Sequence, residues 1–265
     1  MDQDNCTHDC ASCGEDCSDS IEDKIDEDAL HSLSIVKKAV LIASAKGGVG
    51  KSTIAAKLAC ELAQQGKIVG ILDASMSASS INIIFGTNDV PEIIKGGIHP
   101  VKTKLGIQII SFPLLTSNPS APMFWEGSKS AAFAKQLWTD VIWDNLDVLL
   151  IDTPSDTADI TQIYFKNQHI NDVIIVTDPT ELSALVTART INYAKMNQIN
   201  ILGLIENFSD GDSESSSTKE LLAGFALKLL DRIPTDARLS ACVNNGSIES
   251  YDEVLLPKAS ALFEE

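Results

Sequence analysis

Two constellations in this chain have residue types and spacing suited to chemistry. The first is Ala45-Lys46-Gly47-Gly48-Val49-Gly50-Lys51-Ser52-Thr53, which follows an apolar run and opens a helical pattern. Glycines there let backbone N–H groups turn inward around phosphates, and the helix N-terminus adds favourable partial charge. Lys51 would reach the β- and γ-phosphates while the Ser52 hydroxyl ligates Mg2+. Strand, GxGK[ST] ending and helix together specify a phosphate-binding loop with ATP and Mg2+ as its expected ligands.

The second constellation is Cys6, Cys10, Cys13 and Cys17, a C-x3-C-x2-C-x3-C run in a polar segment of a chain with only two other cysteines. Four thiolates suit either Zn2+ or a [4Fe-4S] cluster, and the spacing does not decide between them. Incidental thiols without metal are the bland alternative. His8 is read as solvated, because four cysteines already close a site. Cys60 and Cys242 fall in helical apolar patterns and are read as packing residues.

Two further carboxylates stand at strand ends, where ligands of open α/β sheets bind. They are Asp73 in Leu72-Asp73-Ala74-Ser75 and Asp152 in Ile151-Asp152-Thr153-Pro154. Either could hold Mg2+ or its waters, or position an attacking water. A turn or helix-capping aspartate is the competing reading.

These residues need a scaffold that brings strand ends together. From Val36 onward, short β-branched runs alternate with longer helical patterns, the signature of a mainly parallel sheet with helices on both faces. Strands are expected near 39–44, 67–72, 107–112, 147–152, 172–177 and 200–206. Helices are expected near 51–65, 128–142, 159–167, 181–197 and 253–263. The runs Val148-Leu149-Leu150-Ile151 and Val173-Ile174-Ile175-Val176 are continuously apolar, as strands covered on both faces should be. Residues 209–217 are polar and low in complexity and read as a surface loop. The division is a cysteine-rich tail and connector over 1–34 and an α/β P-loop domain over 35–265.

With these motifs in hand, residues 37 to about 250 resemble the Mrp/ApbC family of iron-sulfur cluster carrier ATPases, within the MinD/ParA-like group. The resemblance rests on Lys46 to Thr53, Leu72-Asp73-Ala74, Asp152-Thr153-Pro154 with Asp159, Thr177-Asp178-Pro179, Ile201 to Asn207, and Ile233 to Leu239. It implies that Lys46 is the signature lysine that reaches a partner's nucleotide across a face-to-face dimer. It also implies that Asn207 and the turn from Pro234 to Asp236 lie near the adenine. Part of the family carries an N-terminal [4Fe-4S] cluster on four cysteines, which favours iron-sulfur over zinc for the tail. The implied partners are a second copy or a related carrier, and iron-sulfur apoproteins.

Departures from the family pattern fall on the chemistry. Ser75 stands where the family has the second carboxylate of Asp-x-Asp, Ser155-Asp156 replaces Pro-Gly, and Glu126 replaces an arginine. Ser75 carries no charge to orient the attacking water, Asp156 would place an acidic side chain near the γ-phosphate, and Glu126 removes a positive charge, so slow hydrolysis or altered nucleotide preference is expected. The family's CxxC pair, which bridges two subunits with a transferable cluster, would fall within 208–218, where this chain has no cysteine. Heterodimerisation with a CxxC-bearing relative would supply a half-site.

Composition narrows the classes. A formal charge of -17 over 265 residues argues against nucleic acid or an anionic membrane as partner. The first 30 residues hold eleven Asp or Glu against Lys24 alone, so the tail supplies much of that charge. No run reaches the roughly 20 apolar residues of a membrane span, and the acidic N-terminus is unlike a secretory signal; a cytoplasmic location is expected. Two other classes remain: a non-catalytic nucleotide-dependent adaptor with a zinc-binding tail, and a MinD/ParA-type positioning ATPase. The latter has neither a basic patch nor a terminal amphipathic helix in its favour.

Overall fold

The computed structural model describes residues 29–76, 79–116, 127–155, 159–210 and 215–264. The four tail cysteines, Glu126 and Asp156 lie outside the described residues.

The strands are β1 (Val36–Ala43), β2 (Val69–Asp73), β3 (Glu92–Ile94), β4 (Gly97–His99), β5 (Val101–Lys102), β6 (Gln108–Ser111), β7 (Leu146–Asp152), β8 (Asp172–Thr177), β9 (Asn200–Ser209) and β10 (Leu229–Pro234). The helices are α1 (Lys51–Gln64), α2 (Ile81–Phe85), α3 (Gly127–Thr139), α4 (Asp159–Lys166), α5 (Glu181–Met196), α6 (Ser216–Phe225), α7 (Ala237–Asn244) and α8 (Pro257–Ala261). Eight strands form one sheet in the order β10-β9-β8-β1-β7-β2-β6-β5, parallel except for β5, and β3 and β4 form a separate hairpin. Among the described residues no helix is long and apolar enough to cross a membrane.

Alternation along the strands explains why they read as continuous apolar runs. In β1, Val40 and Ile42 pack under α1, α2, α7 and α8, whereas Leu41 and Ala43 pack under α3, α4, α5 and α6. The same split divides Val148 and Leu150 from Leu149 and Ile151 in β7. Both faces are covered, so every position favours an apolar residue.

The central strand β1 lies between β7 and β8, and the chain leaves it through α1 toward β2. Strand order reverses here, so the β1–α1 turn opens into the crevice where α/β sheets bind ligands. α1 is buried along most of its length. Lys57, 1% exposed, is paired with Glu61 at 3.3 Å, and its ammonium sits 5.1 Å from the Tyr251 ring centroid. Glu61 accepts from the Leu255 and Leu256 N–H groups at 2.8 and 3.2 Å, which fastens the C-terminal segment to the lower half of α1.

Several elements depart from the sequence expectation. Ile81 to Phe85 form a helix because Asp73 Oδ2 accepts from the Ser80 and Ile81 N–H groups at 3.2 and 3.3 Å. The serine-rich stretch is not all loop: β9 runs to Ser209, and Ser215 caps α6 by accepting from the Thr218 N–H at 3.1 Å. The C-terminal helix is confined to five residues starting at Pro257, with Asp231 accepting from the Lys258 and Ala259 N–H groups.

Candidate nucleotide site

The loop between β1 and α1 has the geometry its glycines predict. Gly48 and Gly50 have φ of +83° and +82°, a left-handed conformation that favours glycine. At Gly50 there is a second reason: a Cβ would lie 2.2 Å from the Asn207 amide nitrogen. Asn207 donates to the Val49 carbonyl at 2.8 Å, and the Ser44 hydroxyl donates to the Lys46 carbonyl at 3.3 Å. Two loop carbonyls are thus held by the protein, and N–H groups are what the loop offers a ligand.

Lys51 opens α1 and is 7% exposed; its ammonium donates to Asp152 Oδ1, whose side chain is fully buried at the end of β7. The other oxygen, Oδ2, is buried without a hydrogen-bond partner. A buried carboxylate oxygen left unsatisfied is expensive, so this atom faces an environment that a cation or its water would complete. Ser52 follows Lys51 in the first turn of α1. The hard oxygens of Ser52 and Asp152 therefore fit Mg2+.

Asp73 lies beside Asp152, paired with it in register across β2 and β7. Its Oδ2 accepts from Ser79 Oγ at 2.6 Å, from Ser111 Oγ at 3.3 Å and from the first N–H groups of α2, while Oδ1 accepts from the Ser75 N–H at 3.0 Å. Burial, and then the neighbouring Asp152 charge, push the Asp73 carboxyl up to about 6 against those hydrogen bonds. Both its oxygens are engaged as helix cap and loop anchor. Ser75, two residues on, is also buried.

Lys46 is held within its own chain. Its ammonium donates to Asp178 Oδ2 at 2.6 Å and to Thr180 Oγ1 at 3.4 Å. Burial alone would raise Asp178, but hydrogen bonds from Lys46 and Thr180 outweigh it and hold the carboxyl at about 2. Thr180 also caps α5, accepting from the Ser183 N–H. The sequence singled out Asp178 only as part of a motif; its role as the partner of Lys46, 132 residues away, comes from the fold. The signal was an Asp-Pro-Thr turn at a strand end, which favours a carboxylate turned back on its own loop.

The remaining predicted residues divide. The P-loop glycines, Lys46, Lys51, Ser52, Thr53, Asp152 and Asn207 converge on one edge of the sheet, and a Cβ at Gly47 would be 3.4 Å from Ser155 Oγ. Pro234 pairs with Ser209 at the same ends of β10 and β9. The Asp236 carboxylate is occupied elsewhere: it caps α7 through the Arg238 and Leu239 N–H groups and accepts from the Tyr251 hydroxyl at 2.6 Å.

Next to the site, buried Glu206 accepts from Arg232 Nε at 3.0 Å and from Ser215 Oγ at 2.9 Å. Burial opposes its ionisation, yet donors from Thr218, Arg232 and Ser215 hold it below the usual carboxylate range. This pair, which the sequence did not single out, anchors the start of α6 to the strand that carries Asn207.

Comparison with known proteins supplies the family. The sequence profile described as "ParA: NUBPL iron-transfer P-loop NTPase" matches residues 35–261. The chain belongs to this family. Among curated relatives, it is 41% identical over 214 residues to the iron-sulfur cluster carrier protein of Rickettsia bellii, covering 80% of this chain and 66% of that protein. The carrier protein of Clostridium perfringens is 31% identical over 261 residues, covering 91% of this chain and 90% of its own length. Among solved structures, the Archaeoglobus fulgidus nucleotide-binding protein in complex with ADP superposes with a TM-score of 0.71 at 30% identity, over 82% of this chain and 90% of that one. The Pyrococcus furiosus cell division ATPase MinD has a TM-score of 0.65 at 18% identity, covering 86% and 97%, a likeness of fold alone.

Proposed function

We propose that this chain is an ATP-binding iron-sulfur cluster carrier of the NUBPL type that works as a dimer and hydrolyses ATP slowly. The observation that carries the nucleotide part is the buried Lys51–Asp152 pair with Asp152 Oδ2 unpartnered, set beside a glycine cradle at the switch point of the sheet. The ADP complex of the Archaeoglobus relative and the names of the carrier relatives support the rest.

In this reading Lys51 would leave Asp152 for the phosphates, and Asp152 and Ser52 would hold Mg2+. Magnesium would supply charge neutralisation on the phosphates. Asn207 orders the loop through Val49 and lines the base side with Pro234. Asp236 contributes by holding α7 and not by direct contact. Lys46 must leave Asp178 to reach a partner's nucleotide, so dimer formation competes with an ion pair inside the chain.

Slow hydrolysis follows from the carboxylate inventory. Asp73 is consumed by the α2 cap, and Ser75 brings no charge to orient water. The same observation favours a second reading, a nucleotide-dependent adaptor whose bound state alone carries the signal. Cys6, Cys10, Cys13 and Cys17 are proposed to hold a [4Fe-4S] cluster, with Zn2+ as the alternative.

Purified protein should retain ATP with Mg2+, and Lys51→Ala should abolish retention; equal retention by both removes the assigned site. Anaerobic reconstitution followed by iron, sulfide and zinc analysis addresses the tail. Zinc without sulfide there would rule out the cluster and favour the adaptor.

A further inference from the structure

The connector that leads out of the tail enters the domain at the starts of the strands, the end opposite the nucleotide site. His31 Nε2 lies 2.7 Å from the Gly96 carbonyl in the β3–β4 hairpin. Ser34 Oγ donates to the Val141 carbonyl at 3.1 Å and accepts from the Trp143 N–H at 2.9 Å, both on the segment that leads into β7. From this root to the P-loop the chain must climb β1, about 26 Å for eight residues at about 3.3 Å each. Eleven residues separate Cys17 from Ala29, a flexible span of roughly 18 Å r.m.s.. Cys17 therefore reaches the nucleotide end only when the connector is stretched beyond its r.m.s. span.

The surface at the root is suited to an acidic, partly apolar segment. Leu33, Ile35, Ile68 and Leu105 all sit at strand starts and are 38% to 68% exposed. They belong to one end of the sheet: the Ile35 and Ile68 carbonyls accept from the Leu146 and Asp147 N–H groups, and Leu105 lies in the turn joining β5 to β6. Six lysines gather around them. Lys37, Lys38 and Lys102 are paired with Asp147, Asp172 and Asp144, whereas Lys67, Lys95 and Lys104 carry no ion pair among the described residues. Further carboxylates at this end are Glu92 on the hairpin, Asp140, whose carbonyl accepts from the hairpin's Ile98 N–H at 2.8 Å, and Glu249, which accepts from the Leu105 N–H at 2.9 Å.

The sequence that arrives there is complementary. Ser18 to Asp28 reads SDSIEDKIDED, with Ile21 and Ile25 four apart among Glu22, Asp23, Asp26, Glu27 and Asp28. Such a segment has apolar groups for the exposed leucine and isoleucines and carboxylates for the unpaired lysines. We propose that residues 1–28 dock in cis on the strand-start end of the sheet, with Lys67, Lys95 and Lys104 as the receiving cations. The tail's thiolate site is then held at the pole of the molecule remote from the nucleotide. The inference rests on charge and tether length and is independent of which metal the cysteines bind.

A zero-length carboxyl-to-amine cross-linker applied to the full chain, with products mapped by mass spectrometry, tests it. Tail carboxylates should join Lys67, Lys95 and Lys104 and not Lys46, Lys129 or Lys219. In a Lys67→Gln/Lys95→Gln/Lys104→Gln variant, which has lost those three amines, the yield of tail cross-links to the neighbouring Lys37 and Lys102 should fall about tenfold, as expected for three lost exposed pairs. It should also fall at 1 M salt, where the screening length is about 3 Å. Ile21→Ser/Ile25→Ser should lower it without touching a charge. Cross-links spread evenly over lysines of both ends, or absent from the three named, overturn the proposal. An equal mixture of isotopically light and heavy chains in which about half of the cross-links are light–heavy, the share random pairing gives, also overturns it, because a second copy would then occupy this face.

Discussion

Replacing Lys51 with methionine should unfold the protein more readily even before nucleotide is considered. Methionine keeps most of the stem's packing but leaves Asp152 as a charge in a fully buried position with neither oxygen satisfied. Removing one member of a buried pair typically costs about 3–5 kcal/mol. For a domain of this size, about 2–4 °C of melting temperature accompany each kcal/mol, so a drop of roughly 6–20 °C is expected without nucleotide. Adding Asp152→Asn removes the stranded charge and should restore most of that loss. Thermal unfolding of wild type, single and double variants measures both steps. With Mg-ATP at about 1,000 times its dissociation constant, wild type should gain about 4 kcal/mol and neither variant should gain any. The reasoning fails if the single variant melts with the wild type, or if the double variant melts as low as the single one.

Asp73 titrates near 6 in the folded chain and near 3.9 when unfolded. The native state therefore binds the extra proton between those values, and stability should rise as pH falls from 6 toward 4. Asp73→Asn should flatten that slope in urea midpoints taken at pH 7 and pH 5; an unchanged slope would assign it to another group. Asp178, held at about 2, contributes in the opposite sense: its stabilisation is present above about 4 and is lost as pH falls toward 2. Asp178→Asn should free Lys46 and tighten ATP-dependent dimerisation about two- to fivefold, the scale of a partly exposed ion pair, as read by sedimentation. Weaker dimerisation would show that Asp178 serves the dimer. Ser75→Asp should raise ATP turnover by restoring a carboxylate beside the site, and no gain would trace the slow step elsewhere.

The six principal strands were legible because their middles are covered on both faces and so carry apolar residues at consecutive positions. What escaped was set by distant partners. Ile81 to Phe85 carry β-branched residues that suit a strand, and only the Asp73 carboxylate at the helix start makes them α2. The serines before α6 resemble a loop until Ser215 is placed against Glu206. β10 carries Asp231 and Arg232, polar residues that mask an edge strand. In the site, the P-loop was readable because its residues are consecutive. The partner of Lys46 was not, because that contact exists only once β1 and β8 lie side by side. Asp236 stands one residue before α7, and its capping of that helix is a contact its place in the Pro-Thr-Asp turn does not reveal.

The helix behind the phosphate loop has little freedom of its own. Lys57 and Glu61 lash its lower half to the backbone at Tyr251, Leu255 and Leu256, so residues 251–256 form a splint behind the site. A fusion or cleavage near the C-terminus would accordingly be felt as altered nucleotide affinity. A tag placed there is a perturbation of the experiment, not a neutral handle.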